Sequence, residues 1–313
     1  MFNIVEKRYW YFLISALVII PGLVAMIYTW SVKGTPLPLA IDFTGGSFWE
    51  IQFDRSVQPA DVRDVFVEGG FADTTVQTIR NDRTVVVRFD NVDEEQKLAL
   101  KQRLEERFGP TVELQFRSVG PSIGREVTQA AFVAVIATAI AIVFWIVVAF
   151  RKVPHAVRYG VCAVIAMVHD VFVATGLFAI AGLVLGWQVD ALFLTALLTV
   201  IGFSVQDTIV VFDRIRENLP KRRGEPYETV VNRSLLETLH RSLVTQLNAI
   251  FVLIAILLFG GATLQQFIAT LLVGMFSGTY SSIFNAVPLL VVWEKGEVGS
   301  FFRRLLGRRP ATA

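Results

Sequence analysis

Six apolar stretches, each long enough to cross a bilayer as a helix, constrain this chain more than any motif it contains. A spanning helix needs about 20 predominantly apolar residues, and runs of that kind cover residues 9–30, 130–150, 157–181, 191–212, 242–260 and 267–293. With 54% of its 313 residues hydrophobic, the sequence reads as a polytopic α-helical membrane protein. The first run is longer than the apolar core of a cleavable signal peptide and no small-residue cleavage site follows it, so it is expected to stay as an anchor. The single cysteine, Cys162, lies inside an apolar run, which excludes an intrachain disulfide and fits a small buried core residue.

Orientation follows from the basic residues of the short loops. Lys7 and Arg8 precede the first run; Arg151, Lys152 and Arg158 join the second to the third; Arg214, Arg216, Lys221, Arg222 and Arg223 follow the fourth; Arg303, Arg304, Arg308 and Arg309 lie in the tail. All four clusters fall on one side of an even-numbered bundle, which the positive-inside rule makes cytoplasmic. The expected organisation is therefore a cytoplasmic N-terminus and first span (1–30), an extracytoplasmic insert (31–128), a five-helix remainder of the bundle (129–293) and a basic cytoplasmic tail (294–313).

The insert has the pattern β-α-β-β-α-β. Trp49, Ile51 and Phe53 alternate with Glu50, Gln52 and Asp54 as in a half-buried strand. Pro59 opens a helix through Val62, Val65 and Phe66 that ends at Gly69-Gly70. Strands at Thr75–Arg80 and 84–90 flank a turn at Asn81-Asp82, with Val85, Val87 and Phe89 on one face. Asp93 with Gln96 resembles a capping box for a helix carrying Leu100, Leu104 and Phe108, and Val112, Leu114 and Phe116 supply the last strand. This order predicts a ferredoxin-like domain. It holds no histidine, no Ser/His/Asp set and no Gly-rich phosphate loop, so it reads as a protein-contact domain or a rigid spacer.

The chemistry lies in the membrane half. Asp207 interrupts the fourth run, and an Asp at a spanning-helix centre costs about 2.5–3.5 kcal/mol even on the low estimates, so such residues face a polar interior and mark ion or proton routes. His169 and Asp170 stand side by side near the middle of the third run, where neighbours point about 100° apart and so cannot both face lipid without cost. Two readings stay open for them, a proton route or interhelical hydrogen bonds that fix packing. In the fifth run Thr238, Arg241, Thr245 and Asn248 fall on one face, and Arg241 is the expected partner of Asp207 unless it snorkels to the headgroups. The sixth run has Gly274 and Gly278 as a GxxxG pair for close helix approach, followed by Ser281, Ser282 and Asn285. Asp213, Arg214, Arg216 and Glu217 form an interfacial charge cluster.

Taken together and in order, these residues resemble the SecF family. The resemblance rests on Asp42-Phe43-Thr44-Gly45-Gly46, on Val119-Gly120-Pro121 with Gly124 and Glu126, on His169-Asp170 and Asp207-Thr208, on Phe212-Asp213-Arg214-Ile215-Arg216-Glu217-Asn218, on Thr238-Leu239 with Arg241, and on Gly278-Thr279-Tyr280-Ser281-Ser282. Two positions depart from it: Gln206 stands where the family commonly has Asn, and His240 where a small hydroxyl residue is usual.

The resemblance implies a subunit of the SecDF complex, a proton-driven machine of the resistance-nodulation-division type in the bacterial cytoplasmic (inner) membrane. Its partners would be SecD as a separate chain, the SecYEG channel, unfolded preprotein and the lipid bilayer, with no nucleic acid. It implies no catalytic residue, no metal and no cofactor, protons being the coupling ion. Asp207 would accept and release the proton, Arg241 would hold its ionised form, Asp170 and His169 would rank second, and Thr208, Thr238, Thr245, Asn248, Ser281 and Ser282 would support the path. Asp42, Gly45 and Gly46 join the charge cluster as further motif residues. Competing readings are a passive assembly subunit, an exporter of the same superfamily, and an intramembrane aspartyl protease using Asp170 and Asp207. The last fits poorly, since Ser204-Val205-Gln206 stands where Gly-x-Gly is expected before the second Asp.

Overall fold

The computed structural model describes residues 3–80, 83–151, 155–261 and 264–297. The Asn81-Asp82 turn, Lys152 and the basic tail with Arg303, Arg304, Arg308 and Arg309 lie outside the described residues. The chain divides into two compact units, Leu39–Val133 and the remainder.

In the smaller unit, alternation becomes a sheet. After a short helix α2 (Ile41–Thr44), strands β1 (Gly46–Phe53), β2 (Thr75–Arg80), β3 (Thr84–Phe89) and β4 (Thr111–Val119) pair antiparallel in the order β2-β3-β1-β4. Helices α3 (Pro59–Glu68) and α4 (Glu94–Phe108) complete the ferredoxin-like arrangement. Trp49, Ile51 and Phe53 are buried with Val85, Val87, Phe89, Val62, Val65, Phe66, Leu100 and Leu104. The capping box forms as expected: Gln96 N donates to Asp93 Oδ1 at 2.8 Å, and Asp93 N donates to Gln96 Oε1 at 3.2 Å.

The last strand differs from a uniform core strand. Only Phe116 packs against the core, while Val112 and Leu114 are 55% and 49% exposed. Being at the sheet edge, β4 has a neighbour on one side only, and a register shift opposite Glu50 and Ile51 breaks its alternation. Gly46 sits at φ +115°, and a Cβ there would lie 2.9 Å from the Phe89 carbonyl oxygen, so the Gly45-Gly46 motif starts β1 where a side chain has no room.

The larger unit holds helices long and apolar enough to cross a membrane. A 3₁₀ turn (Val5–Lys7) leads into α1 (Arg8–Lys33), and α5 (Pro121–Ala149, which belongs to this unit from Ala134 on), α6 (Ala156–Val184), α7 (Ala191–Lys221) and α8 (Tyr227–Phe259) follow. The sixth candidate span joins α9 (Gln265–Ser281), a π-helical turn (Ser282–Ala286) and α10 (Val287–Glu294). Helices α7 and α8 run well past the apolar stretches into charged sequence. Val5, Ala149, Ala156, Lys221, Tyr227 and Glu294 lie at one end of the antiparallel series, hereafter the charged end. There Arg8 pairs with Glu228 and Glu297, Lys295 with Glu228, Arg158 with Glu294 and Arg214 with Glu237.

Small residues set how closely the helices cross. A Cβ on Gly274 would fall 2.1 Å from Val200 Cγ2, and one on Gly278 would lie 3.2 Å from Ser204 Cβ, so the GxxxG pair seats α9 directly on α7. Gly22 and Gly176 meet in the same way, a Cβ on the first lying 2.5 Å from the Cα of the second, and this fixes α1 against α6.

Candidate functional site

The close crossing of α9 on α7 brings hydroxyls to a carboxylate on α6. Asp170, fully buried, accepts from Ser204 Oγ at 2.5 Å and Ser281 Oγ at 2.6 Å on Oδ2, and from Ser277 Oγ at 2.6 Å on Oδ1. His169 Nδ1 lies 3.0 Å from Oδ1. Three helices thus converge on one carboxylate whose two oxygens are both occupied, an arrangement that satisfies a buried acid through hydrogen bonds to its acceptor atoms. The other side of the His169 ring is unlike this. Nε2 is buried and has no partner among the described residues, although the side chain is only 10% exposed, and the ring stacks near Tyr280 at a centroid distance of 6.2 Å.

Asp207 is 5% exposed and is held differently. Gln246 Nε2 donates to its Oδ2 at 2.7 Å, and no ion pair reaches it among the described residues. The expectation that Arg241 pairs with Asp207 is corrected here: Arg241 is exposed on the outside of α8, with no ion pair among the described residues. The reason is azimuth. Five residues along a helix turn through about 500°, or 140° net, so with Gln246 aimed at Asp207 the side chain at 241 points away. Gln246 Oε1 is buried without a partner among the described residues, as is Ser242 Oγ one turn earlier.

Thr208 is fully buried and donates to the Ser204 carbonyl at 3.0 Å, a bond back to its own helix. Thr238 donates to the carbonyls of Ser234 and Leu235, and Ser282 to that of Thr279, so both bond back to their own helix. Thr245 and Asn248 are exposed with Arg241, so the predicted polar face exists, less buried Thr238, on the exterior of the bundle. At the charged end Asp213 pairs with Arg216 at 2.6 Å, and Arg214 bridges Glu217 at 2.8 Å and Glu237 at 2.6 Å. Asn218 reinforces this link by donating to Ser234 Oγ and to Glu237 Oε2, both at 2.9 Å. In the smaller unit Asp42 faces Arg117 at 4.0 Å.

Sequence reasoning missed Gln246, Ser204 and Ser277. The signal for the serines was Ser277 and Ser281 at i and i+4, one face of a helix opposite a small-residue crossing. For Gln246 it was membership of the stripe Ser242, Gln246 and Ile250, all buried.

The family model "Protein export membrane protein SecD/SecF, C-terminal" matches residues 99–296. Protein translocase subunit SecF of Thermobaculum terrenum is 47% identical over the full length of both chains. That of Anaerolinea thermophila is 50% identical, again over both full lengths. The chain belongs to the SecF family. The crystal structure of SecDF from Thermus thermophilus, described as a translocon-associated membrane protein, superposes with a TM-score of 0.78 at 32% identity. It covers 94% of this chain, and this SecF chain spans 39% of that SecDF chain.

Proposed function

We propose that this SecF chain works with a separate SecD chain as the proton-coupled accessory of the SecYEG channel, helping unfolded preprotein across the bacterial cytoplasmic membrane, with Asp207 carrying the proton. The observation that carries this reading is Asp207 itself: a carboxylate 5% exposed near the middle of α7 whose one side-chain hydrogen-bond donor among the described residues is the neutral amide of Gln246. A fixed charge at that depth is expensive, which favours a group that alternates between charged and neutral states. The energy scale suffices: one elementary charge crossing 100 mV is worth about 2.3 kcal/mol, enough to bias a two-state equilibrium about fiftyfold.

Two further features support the assignment. The SecDF chain is far longer than this one and includes a matching portion, which is what a separate SecD partner would complete. Arg241, Thr245 and Asn248 give the exterior of α8 a polar strip, and a polar strip at membrane depth calls for a protein partner rather than lipid. We assign the charged end to the cytoplasm by the positive-inside rule, so that the unit Leu39–Val133 faces outward, where it would meet emerging preprotein.

The test uses inverted membrane vesicles containing the complete complex and a secreted reporter, with and without a proton-motive force. Asp207→Asn is expected to remove the proton-motive stimulation while complex assembly survives, because the amide keeps the shape and the hydrogen bond to Gln246 but cannot titrate. Wild-type stimulation in this variant would turn the reading to a passive assembly subunit.

A further inference from the structure

The amide of Gln246 is used at one end only. Its Nε2 donates to Asp207 Oδ2 at 2.7 Å, while its Oε1 is buried without a partner among the described residues. The residue is 3% exposed, so neither end is turned to solvent. A buried acceptor left unmade is costly, and the groups around this contact supply no charge that explains the choice of side chain. On α8, His240 and Arg241 are exposed. Tyr280 of α9 borders the same groove as Gln246, its hydroxyl committed to the Tyr11 carbonyl at 2.7 Å. α6 brings Asp170, whose oxygens are occupied by Ser204, Ser277, Ser281 and His169. On α7 the next charged residue, Asp213, pairs with Arg216. What faces Asp207 is an amide, which carries a donor and an acceptor of nearly the same size on one planar group.

We propose that Gln246 is a positioning residue for both protonation states of Asp207, turning its amide over as the carboxyl gains and loses a proton. This rests on the reading of Asp207 as the proton carrier. With Asp207 ionised, Nε2 donates to Oδ2, the arrangement observed. When Oδ2 takes a proton from hydronium, water leaves and the carboxylate becomes a neutral acid. Its new hydroxyl then donates to Oε1, once the amide has turned by about 180° about χ3. That torsion is broad and roughly two-fold, so both orientations are ordinary ones. The turn exchanges nitrogen for oxygen at one place, so the buried site needs no added volume. Gln246 itself neither gains nor loses a proton.

A partner with donors alone would act otherwise. A lysine or arginine in place of Gln246 would hold the charged form of the carboxyl only, which opposes a carrier that must also become neutral. The unpartnered Oε1 is the acceptor held for the protonated state. This gives a use to a polar atom that otherwise only costs stability in the buried stripe of Ser242, Gln246 and Ile250.

Infrared difference spectroscopy on the full chain in lipid nanodiscs, with the glutamine side-chain carbonyls isotope-labelled, reads both groups in one pH titration. The expected result is a carboxylic-acid band, absent in Asp207→Asn, that rises together with the band of a newly hydrogen-bonded glutamine carbonyl. The glutamine band should be absent in both Asp207→Asn and Gln246→Leu. A carboxylic-acid band that rises with no such glutamine change overturns the proposal and leaves Asp207 standing as the carrier. No carboxylic-acid band at any pH also overturns it, and Asp207→Asn in the vesicle assay then decides the proton-coupled reading separately. In that assay Gln246→Leu is expected to lower the proton-driven stimulation about fivefold, as the loss of one hydrogen bond allows, with the complex still assembled. Gln246→Lys keeps a donor but has no acceptor, and should lower it at least as far. Wild-type stimulation in Gln246→Lys would show that no acceptor is needed, and the proposal would fall.

Discussion

Asp170 and Asp207 lie on neighbouring helices near the middle of one bundle, and both are nearly inaccessible. Yet Asp170 takes hydroxyls from Ser204, Ser277 and Ser281 and touches His169, whereas Asp207 has Gln246. The first ties three helices together; the second ties two. The contrast separates two uses of a buried acid. A carboxylate with its acceptors filled from several elements is a packing point as well as a chemical group, and changing it disturbs every helix that reaches it. A carboxylate with one neutral partner can change state and disturb little.

The largest effect expected from this contrast is on stability. Asp170→Ala leaves three buried hydroxyls facing a void. Interhelical hydrogen bonds in membranes average about 0.6 kcal/mol and reach about 1.7, so the variant should lose about 2–3 kcal/mol in reversible detergent unfolding. Asp207→Asn, which keeps its amide acceptor for Gln246, should lose less than about 0.6 kcal/mol on the same scale. Equal losses would erase the distinction between packing point and carrier.

Much of this arrangement was legible in the sequence, and the rest was not for reasons that can be named. The strands around Trp49 and Val87 and the helix opened by Asp93 follow from alternation and capping, which are local. Edge position is not local, so the exposure of Val112 and Leu114 could not be read from an alternating pattern. The spans were found by hydropathy, but their ends fell short: α5 starts at Pro121 and α8 at Tyr227, because an apolar window records what suits lipid and not where a helix continues in polar sequence. At the site, charge drew attention to Arg241, while the partner of Asp207 proved to be an uncharged Gln246 on another face of the same helix. Charge is visible in a sequence; azimuth across a helix interface is fixed only by packing, here by Gly274 against Val200 and Gly278 against Ser204.

A middle-sized effect tests whether the cage is one unit. Ser277 and Ser281 stand one turn apart on α9 and bind different oxygens of Asp170. Removing both hydroxyls should cost about 1 kcal/mol if they act independently. Because they share one carboxylate, double-mutant cycles in the same unfolding measurement should show that Ser277→Ala and Ser281→Ala are not additive. Strict additivity would mean that Asp170 holds each serine separately and that the cage does not act as a unit.

The smallest effect on stability, and the most telling, is expected at Gln246. Gln246→Leu removes the donor to Asp207 and, with it, an oxygen that has no partner among the described residues. The two changes oppose each other: the lost hydrogen bond costs about 0.6 kcal/mol, and deleting an unsatisfied buried carbonyl returns a comparable amount. Unfolding should therefore shift by about 0.6 kcal/mol or less, while, on the proposed reading, the proton-motive stimulation of translocation falls, since Asp207 loses the donor that holds its Oδ2. A loss of 2 kcal/mol or more, on the scale of about 2–3 expected for Asp170→Ala, would show Asp207 to be a packing point of the same kind, and the contrast between the two acids would then have no functional meaning.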